Sequence, residues 1–216
     1  MGRVYTVRTV RVFYNKVGKL KYISHLDMNR VVLRMMRRAH IDVWFTEGFN
    51  QHPYVNFALP LSLGFESESE AFDFRLNDDM PFDEVLERLK SVAPNGMEIT
   101  SVAESVKKFS DIAFADFSIT IKGDCLAKLV DFLSQSEIVV EKTTKKGGTK
   151  QIDLKQKIVR SSAEMNGGDT QLDITLPAGN NDNVNPTLLL SAFSADLALK
   201  RIVRRRIYDG EMNVFA

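Results

Sequence analysis

A chain of 216 residues with 44% apolar and 26% charged side chains has the composition of a globular protein, long enough for one large domain or two small ones. Its 29 basic and 28 acidic residues leave a net charge of +1, so affinity for a polyanion must come from the placement of cations and not from their number. A single cysteine, Cys125, excludes an internal disulfide and a thiolate cluster for zinc or an iron–sulfur centre within this chain, and no apolar run nears the roughly 18 residues of a bilayer span.

Met1-Gly2-Arg3 leads into Val4-Tyr5-Thr6-Val7-Arg8 with no apolar stretch of signal-peptide type, so a cytoplasmic protein off the membrane is expected. Residues 4–14, rich in Val, Tyr and Thr, predict a strand, and residues 15–18 a turn. Ser24-His25-Leu26-Asp27 reads as a capping box opening a helix that runs to about Ala39. Residues 41–45 predict a second strand, and residues 70–76 alternate in the manner of a half-buried third. Pro81 marks the start of a second helix, and residues 97–102 close the unit as a strand. The order β-α-β-β-α-β is that of a ferredoxin-like, split βαβ unit.

The second half repeats that order. Residues 114–122 alternate as a strand, Asp124 caps a helix ending near Leu133, and strands are predicted at 138–142, 151–160 and 171–176. Asn185-Pro186 opens a helix over 187–193, and a last strand covers 200–208. Lys145 to Gly148 and Asn166 to Asp169 have hairpin-turn composition. The expected fold is therefore α+β: two tandem ferredoxin-like units, residues 1–104 and 105–216, with antiparallel sheets carrying helices on one face.

Two basic clusters stand out. At about 100° per residue, Asp27, Arg30, Arg34, Arg37 and Arg38 share one arc of the first helix while Met28, Val31, Val32, Met35, Met36 and Ala39 take much of the rest. Arginines short of acidic partners leave guanidinium forks open to phosphate oxygens, which points to an RNA backbone; the alternative is a solvated helix surface. Arg201, Arg204, Arg205 and Arg206 follow Lys200 in the last strand, where unbroken alternation puts Arg204 and Arg206 on one side. They are either a second phosphate-binding element or a charged edge that discourages aggregation.

The segment 46–64 packs Gly48, Asn50, His52, Pro53, Asn56, Pro60 and Gly64 among apolar residues, a composition that stiffens a loop around polar groups. His52, Asn50 and, just inside the first helix, His25 are the candidates for acid/base chemistry; a loop-stabilising histidine is the competing reading of His52. Phe49, Tyr54 and Phe57 offer rings to unpaired bases, although Phe57 alternates with Val55 and Leu59 as a core residue does. His25, His52 and Asp27 or Asp42 are too thin a set for a metal, so neither metal nor cofactor is expected. His40 reads as a residue favoured at a helix end, and Cys125 as a small buried helix residue.

Gly18-Lys19-Leu20-Lys21-Tyr22-Ile23-Ser24-His25-Leu26-Asp27, then Glu47-Gly48-Phe49-Asn50-Gln51-His52-Pro53, then Phe57-Ala58-Leu59-Pro60-Leu61 resemble the radical-SAM-linked family of uncharacterised bacterial proteins. Its members are domains on, or companions of, cobalamin-binding radical SAM proteins. The likeness is specific over residues 11–76 and extends to a basic-aromatic ending at Arg204 to Tyr208. The family pattern has Asn-Pro-His-Pro where this chain has Asn50-Gln51-His52-Pro53, and a basic residue in place of Tyr54. The resemblance implies a radical SAM protein as partner, because three clustered cysteines for the radical cluster are not present here.

The expected function is a non-catalytic module that binds RNA or presents a substrate to a separate radical SAM enzyme. Arg30, Arg34, Arg37, Arg38, Arg201, Arg204, Arg205 and Arg206 would hold phosphates, with Tyr54 beside them. The alternatives are a metal-independent RNA-processing or RNA-modifying enzyme using His52 or His25, and a protein-interaction scaffold.

Overall fold

The chain divides into two compact units, Met1–Phe109 and Ser110–Ala216. The computed structural model describes residues 7–143, 149–179 and 182–215. Both units are α+β.

In the first unit, strands β1 (Arg8–Lys16), β2 (Val55–Phe57), β3 (Glu66–Leu76) and β4 (Met97–Glu104) combine with helices α1 (His25–Arg38) and α2 (Phe82–Val92). The antiparallel strands run β4-β1-β3, with β2 on β3, which is the strand arrangement of a split βαβ unit. Alternation explains which face is covered: Val10, Val12 and Tyr14 of β1 and Phe72, Phe74 and Leu76 of β3 point to one side. There they meet Met28, Val32, Met35 and Met36 of α1 and Val85 and Leu89 of α2 in one core. Each such side chain contributes about 1.5–3 kcal/mol by leaving water, so an aspartate at Val32 would break the contact of α1 with the sheet.

The second strand is not where composition placed it. Residues 41–45 form only isolated bridges, Val43 to Leu76 and Phe45 to Pro53, and the strand paired along β3 is Val55–Phe57, inside the expected motif loop. Ile41 is committed elsewhere: its N–H donates to the Met36 carbonyl while that of His40 donates to Arg37, a helix-ending motif with His40 left-handed at φ 51°.

The second unit holds β5 (Ile112–Ile121), α3 (Leu126–Ser134), β6 (Val139–Thr143), β7 (Thr149–Asp153), β8 (Arg160–Asn166), β9 (Asp169–Pro177), α4 (Pro186–Phe193) and β10 (Leu199–Asp209). Its sheet order β10-β5-β9-β8 reproduces the strand order of the first unit. The expected strand at 138–142 belongs instead to an added hairpin, β6 with β7. The expected strand over 151–160 is split, and the strand beside β9 is β8. Gly167 and Gly168, at φ 58° and 86°, make the two-residue turn between β8 and β9 that their composition predicts. The turn expected at 145–148 lies outside the described residues. Cys125 is only partly buried and caps α3. Among the described residues no helix is long and apolar enough to cross a membrane.

Candidate functional site

Helix α1 begins at Ser24, whose hydroxyl oxygen accepts from the Asp27 N–H at 3.1 Å and donates to the Asp27 carboxylate at 2.8 Å. Those bonds, the Ser24 hydroxyl first and the Arg30 guanidinium second, hold the Asp27 carboxyl below its usual pKa. Beyond the cap, Leu26, Asp27, Arg30, Arg34, Arg37 and Arg38 are all exposed, on the arc opposite the buried methionines. Arg30 is matched to Asp27 at 2.9 Å, a solvated pair worth little. Arg34, Arg37 and Arg38 make no hydrogen bond or ion pair among the described residues. Like charges at this spacing repel by a few tenths of a kcal/mol, a cost that Arg37 and Arg38 offset at the helix C-terminus. A further guanidinium at that end is already used: Arg88 donates to the carbonyls of Ala39 and His40 and to Glu84.

Exposed apolar side chains stand around the start of α1. A 3-10 turn, Gly18–Tyr22, leads into it and rests on Gly96, where a Cβ would lie 2.4 Å from the Val17 carbonyl oxygen, so only glycine fits. The Gly64 N–H donates to the Lys21 carbonyl at 2.9 Å, joining residues 62–64 to this turn. Lys21 pairs with Glu66 at 3.3 Å and lies 5.3 Å from the centre of the Tyr22 ring. Tyr22, Leu26 and Leu63 are each more than 60% exposed. The first and third motifs of the sequence resemblance meet where His25 sets its ring edge-on to Phe57 at 5.0 Å.

The middle motif forms a separate hairpin. Trp44 and Tyr54 meet edge-on across it, ring centres 6.4 Å apart, and the Arg75 guanidinium lies against both, 4.7 and 4.6 Å from the two centres. Tyr54 is thus half-buried on Arg75 rather than presented to solvent. At the tip, the Thr46 N–H donates to the His52 carbonyl, the His52 N–H donates to the Thr46 hydroxyl, and His52 Nδ1 lies 3.0 Å from the Asn50 carbonyl and 3.1 Å from Thr46 Oγ1. His52 closes its own loop. Phe49 stands wholly in solvent beside it.

The three catalytic candidates are not brought together. Asn50 and His52 share the hairpin, His25 sits against Phe57, and no hydrogen bond or ring contact joins the two places. Among the described residues no carboxylate is hydrogen-bonded to either histidine. Among the described residues no group of three or more His, Cys, Asp or Glu is placed to hold a metal.

In the second unit the basic run divides. A bulge between Arg204 and Arg206 sets them opposite Phe117 and Asp116, neighbours whose side chains point to opposite faces. Arg204 is consequently only 2% exposed and offers nothing to a polymer, whereas Arg206 is exposed. Arg201 and Arg205 are exposed but already engaged, and Lys200 pairs with Asp169 at 2.5 Å.

Sequence reasoning missed a buried polar cluster of the first unit. Arg11, 1% exposed, makes two bonds to Asp73 at 2.8 and 2.9 Å and donates to Ser105 Oγ and the Lys107 carbonyl, with the Phe109 ring 4.2 Å from its guanidinium. The only signal was the charge at every second place in Phe72-Asp73-Phe74-Arg75, which reads equally as a wet strand face.

A family model described as an uncharacterized protein conserved in bacteria, DUF2344, matches residues 9–186. No curated protein matches the chain. Among solved structures, a chain of a Cbf5-Nop10-Gar1 complex is 10% identical with a TM-score of 0.49, over 92% of this chain and 48% of that one. This chain therefore spans about half the length of that relative. An unknown protein from Galdieria sulphuraria, 11% identical, has a TM-score of 0.28 over 90% of this chain and 99% of that one. A putative glycine cleavage system transcriptional repressor, 10% identical, has 0.26 over 92% and 98%. At these scores none of the three bears on function.

Proposed function

This chain belongs to the bacterial family DUF2344, and we propose that its first unit is a non-catalytic module that binds the phosphate backbone of RNA along α1. One observation carries the reading: Arg34, Arg37 and Arg38 extend from a single helix face, exposed and without protein partners among the described residues. Arg34 and Arg38, four residues apart, lie about 6 Å apart along the axis with Arg37 between them, and each guanidinium offers a planar fork of donors to a phosphate. Arg206 of β10, in the second unit, is a further exposed cation without a partner among the described residues. Catalysis by His52 or His25 gains no support from their surroundings, since His52 is bound to its own loop.

The same reading leaves any radical step to a separate radical SAM protein, because one cysteine cannot hold a cluster that needs three. This partner rests on the motif resemblance alone. The test is binding of a labelled RNA by fluorescence anisotropy. The double variant Arg34→Glu/Arg37→Glu loses binding; retention of the parent affinity at low salt would remove the proposal.

A further inference from the structure

Resting on that polyanion reading, we propose that α1 selects single-stranded RNA, with the exposed ring of Tyr22 as a stacking surface for an unpaired base and the arginines beyond it holding the strand. Tyr22 was not among the rings that composition singled out; of those, Phe49 is fully exposed but stands at the tip of the separate hairpin, and the other two are covered. Tyr54 is occupied by Arg75, and Phe57 is half-buried between His25 and Phe72. Tyr22 is 66% exposed, and its segment adjoins two further exposed apolar side chains, Leu26 on α1 and Leu63 beside the Gly64 to Lys21 bond. A bare aromatic with apolar neighbours at the head of a cationic row is complementary to a polymer that alternates flat bases with phosphates.

The dimensions and charges agree. Leu26 and Arg34 are eight residues apart on α1, about 12 Å along the axis, which a few nucleotides span. Asp27, the one acidic residue of α1, lies between them and is neutralised by Arg30. The Lys21 ammonium, 5.3 Å from the ring centre, is likewise matched, to Glu66 at 3.3 Å, and adds no free charge. A duplex keeps its bases stacked inside and has no face to lay on Tyr22, so the arginines alone would hold it.

The test compares one labelled 12-nucleotide RNA in three forms: single-stranded, annealed to its complement, and with abasic riboses throughout. The parent protein binds the single strand about 5- to 150-fold tighter than the other two, since one stacked base is worth roughly 1–3 kcal/mol. Tyr22→Ala removes that preference and leaves duplex binding unchanged, while Tyr22→Phe retains it. An unchanged preference in Tyr22→Ala, or its loss in Phe49→Ala instead, overturns the assignment to Tyr22 while the arginine reading stands. If Arg34→Glu/Arg37→Glu binds all three RNAs as the parent does, the arginine reading fails and this inference fails with it.

Discussion

Salt dependence turns the arginine row into a number. Binding a phosphate strand releases condensed counterions, and the logarithm of affinity falls against the logarithm of salt by about 0.7 for each phosphate neutralised on a single strand. Three guanidiniums of α1 are unmatched, Arg34, Arg37 and Arg38, while Arg30 is neutralised by Asp27. Three contacts give a slope near −2, so raising salt from about 50 to 200 mM weakens binding roughly 20-fold. Arg34→Gln/Arg37→Gln leaves one contact and a loss of about 2.5-fold over the same range. Asp27→Asn frees Arg30 and steepens the slope to about −2.8. Anisotropy titrations of a labelled single-stranded RNA at four or five salt concentrations measure all three slopes. A parent slope near zero, or equal slopes for parent and double Gln variant, would refute the assignment of phosphate binding to α1.

Three further outcomes concern the scaffold. Asp73→Ala leaves the Arg11 guanidinium buried without its carboxylate and destabilises the first unit by about 3–5 kcal/mol, read by denaturant unfolding; a loss under 1 kcal/mol would show the site to be wet. His40→Gly relieves a left-handed residue at the end of α1 and stabilises by about 0.5–1 kcal/mol; a loss of stability would mean the His40 side chain matters more than its backbone. Ser24→Ala removes the foremost bond to the Asp27 carboxylate, so the Asp27 pKa, followed by NMR of its side-chain carbon, rises toward the ordinary value. Because that pKa is depressed in the folded state, the contribution of the cap is present above the unfolded value near 3.8 and fades as pH falls through the folded one; a fading on the alkaline side would contradict the hydrogen-bond account.

Local chemistry determined much about this protein. Ser24 and Asp27 announce the start of α1, the 3.6-residue spacing of Met28, Val32, Met35 and Met36 sets which face it buries, and the same spacing leaves the arginines outward. The α+β class follows from such short-range patterns. What required the tertiary structure was every relation between segments distant in the chain. Residues 41–45 have the composition of a strand, but pairing along β3 is taken by 55–57. One bulge in β10 sends Arg204 inward and Arg206 outward, because a single extra residue reverses a two-residue alternation. Tyr54 and Tyr22 are the same residue type, and only the approach of Arg75 from the neighbouring strand β3 covers one ring while the other stays exposed. Periodicity is a property of consecutive residues; occupancy of a side chain depends on which remote group reaches it first.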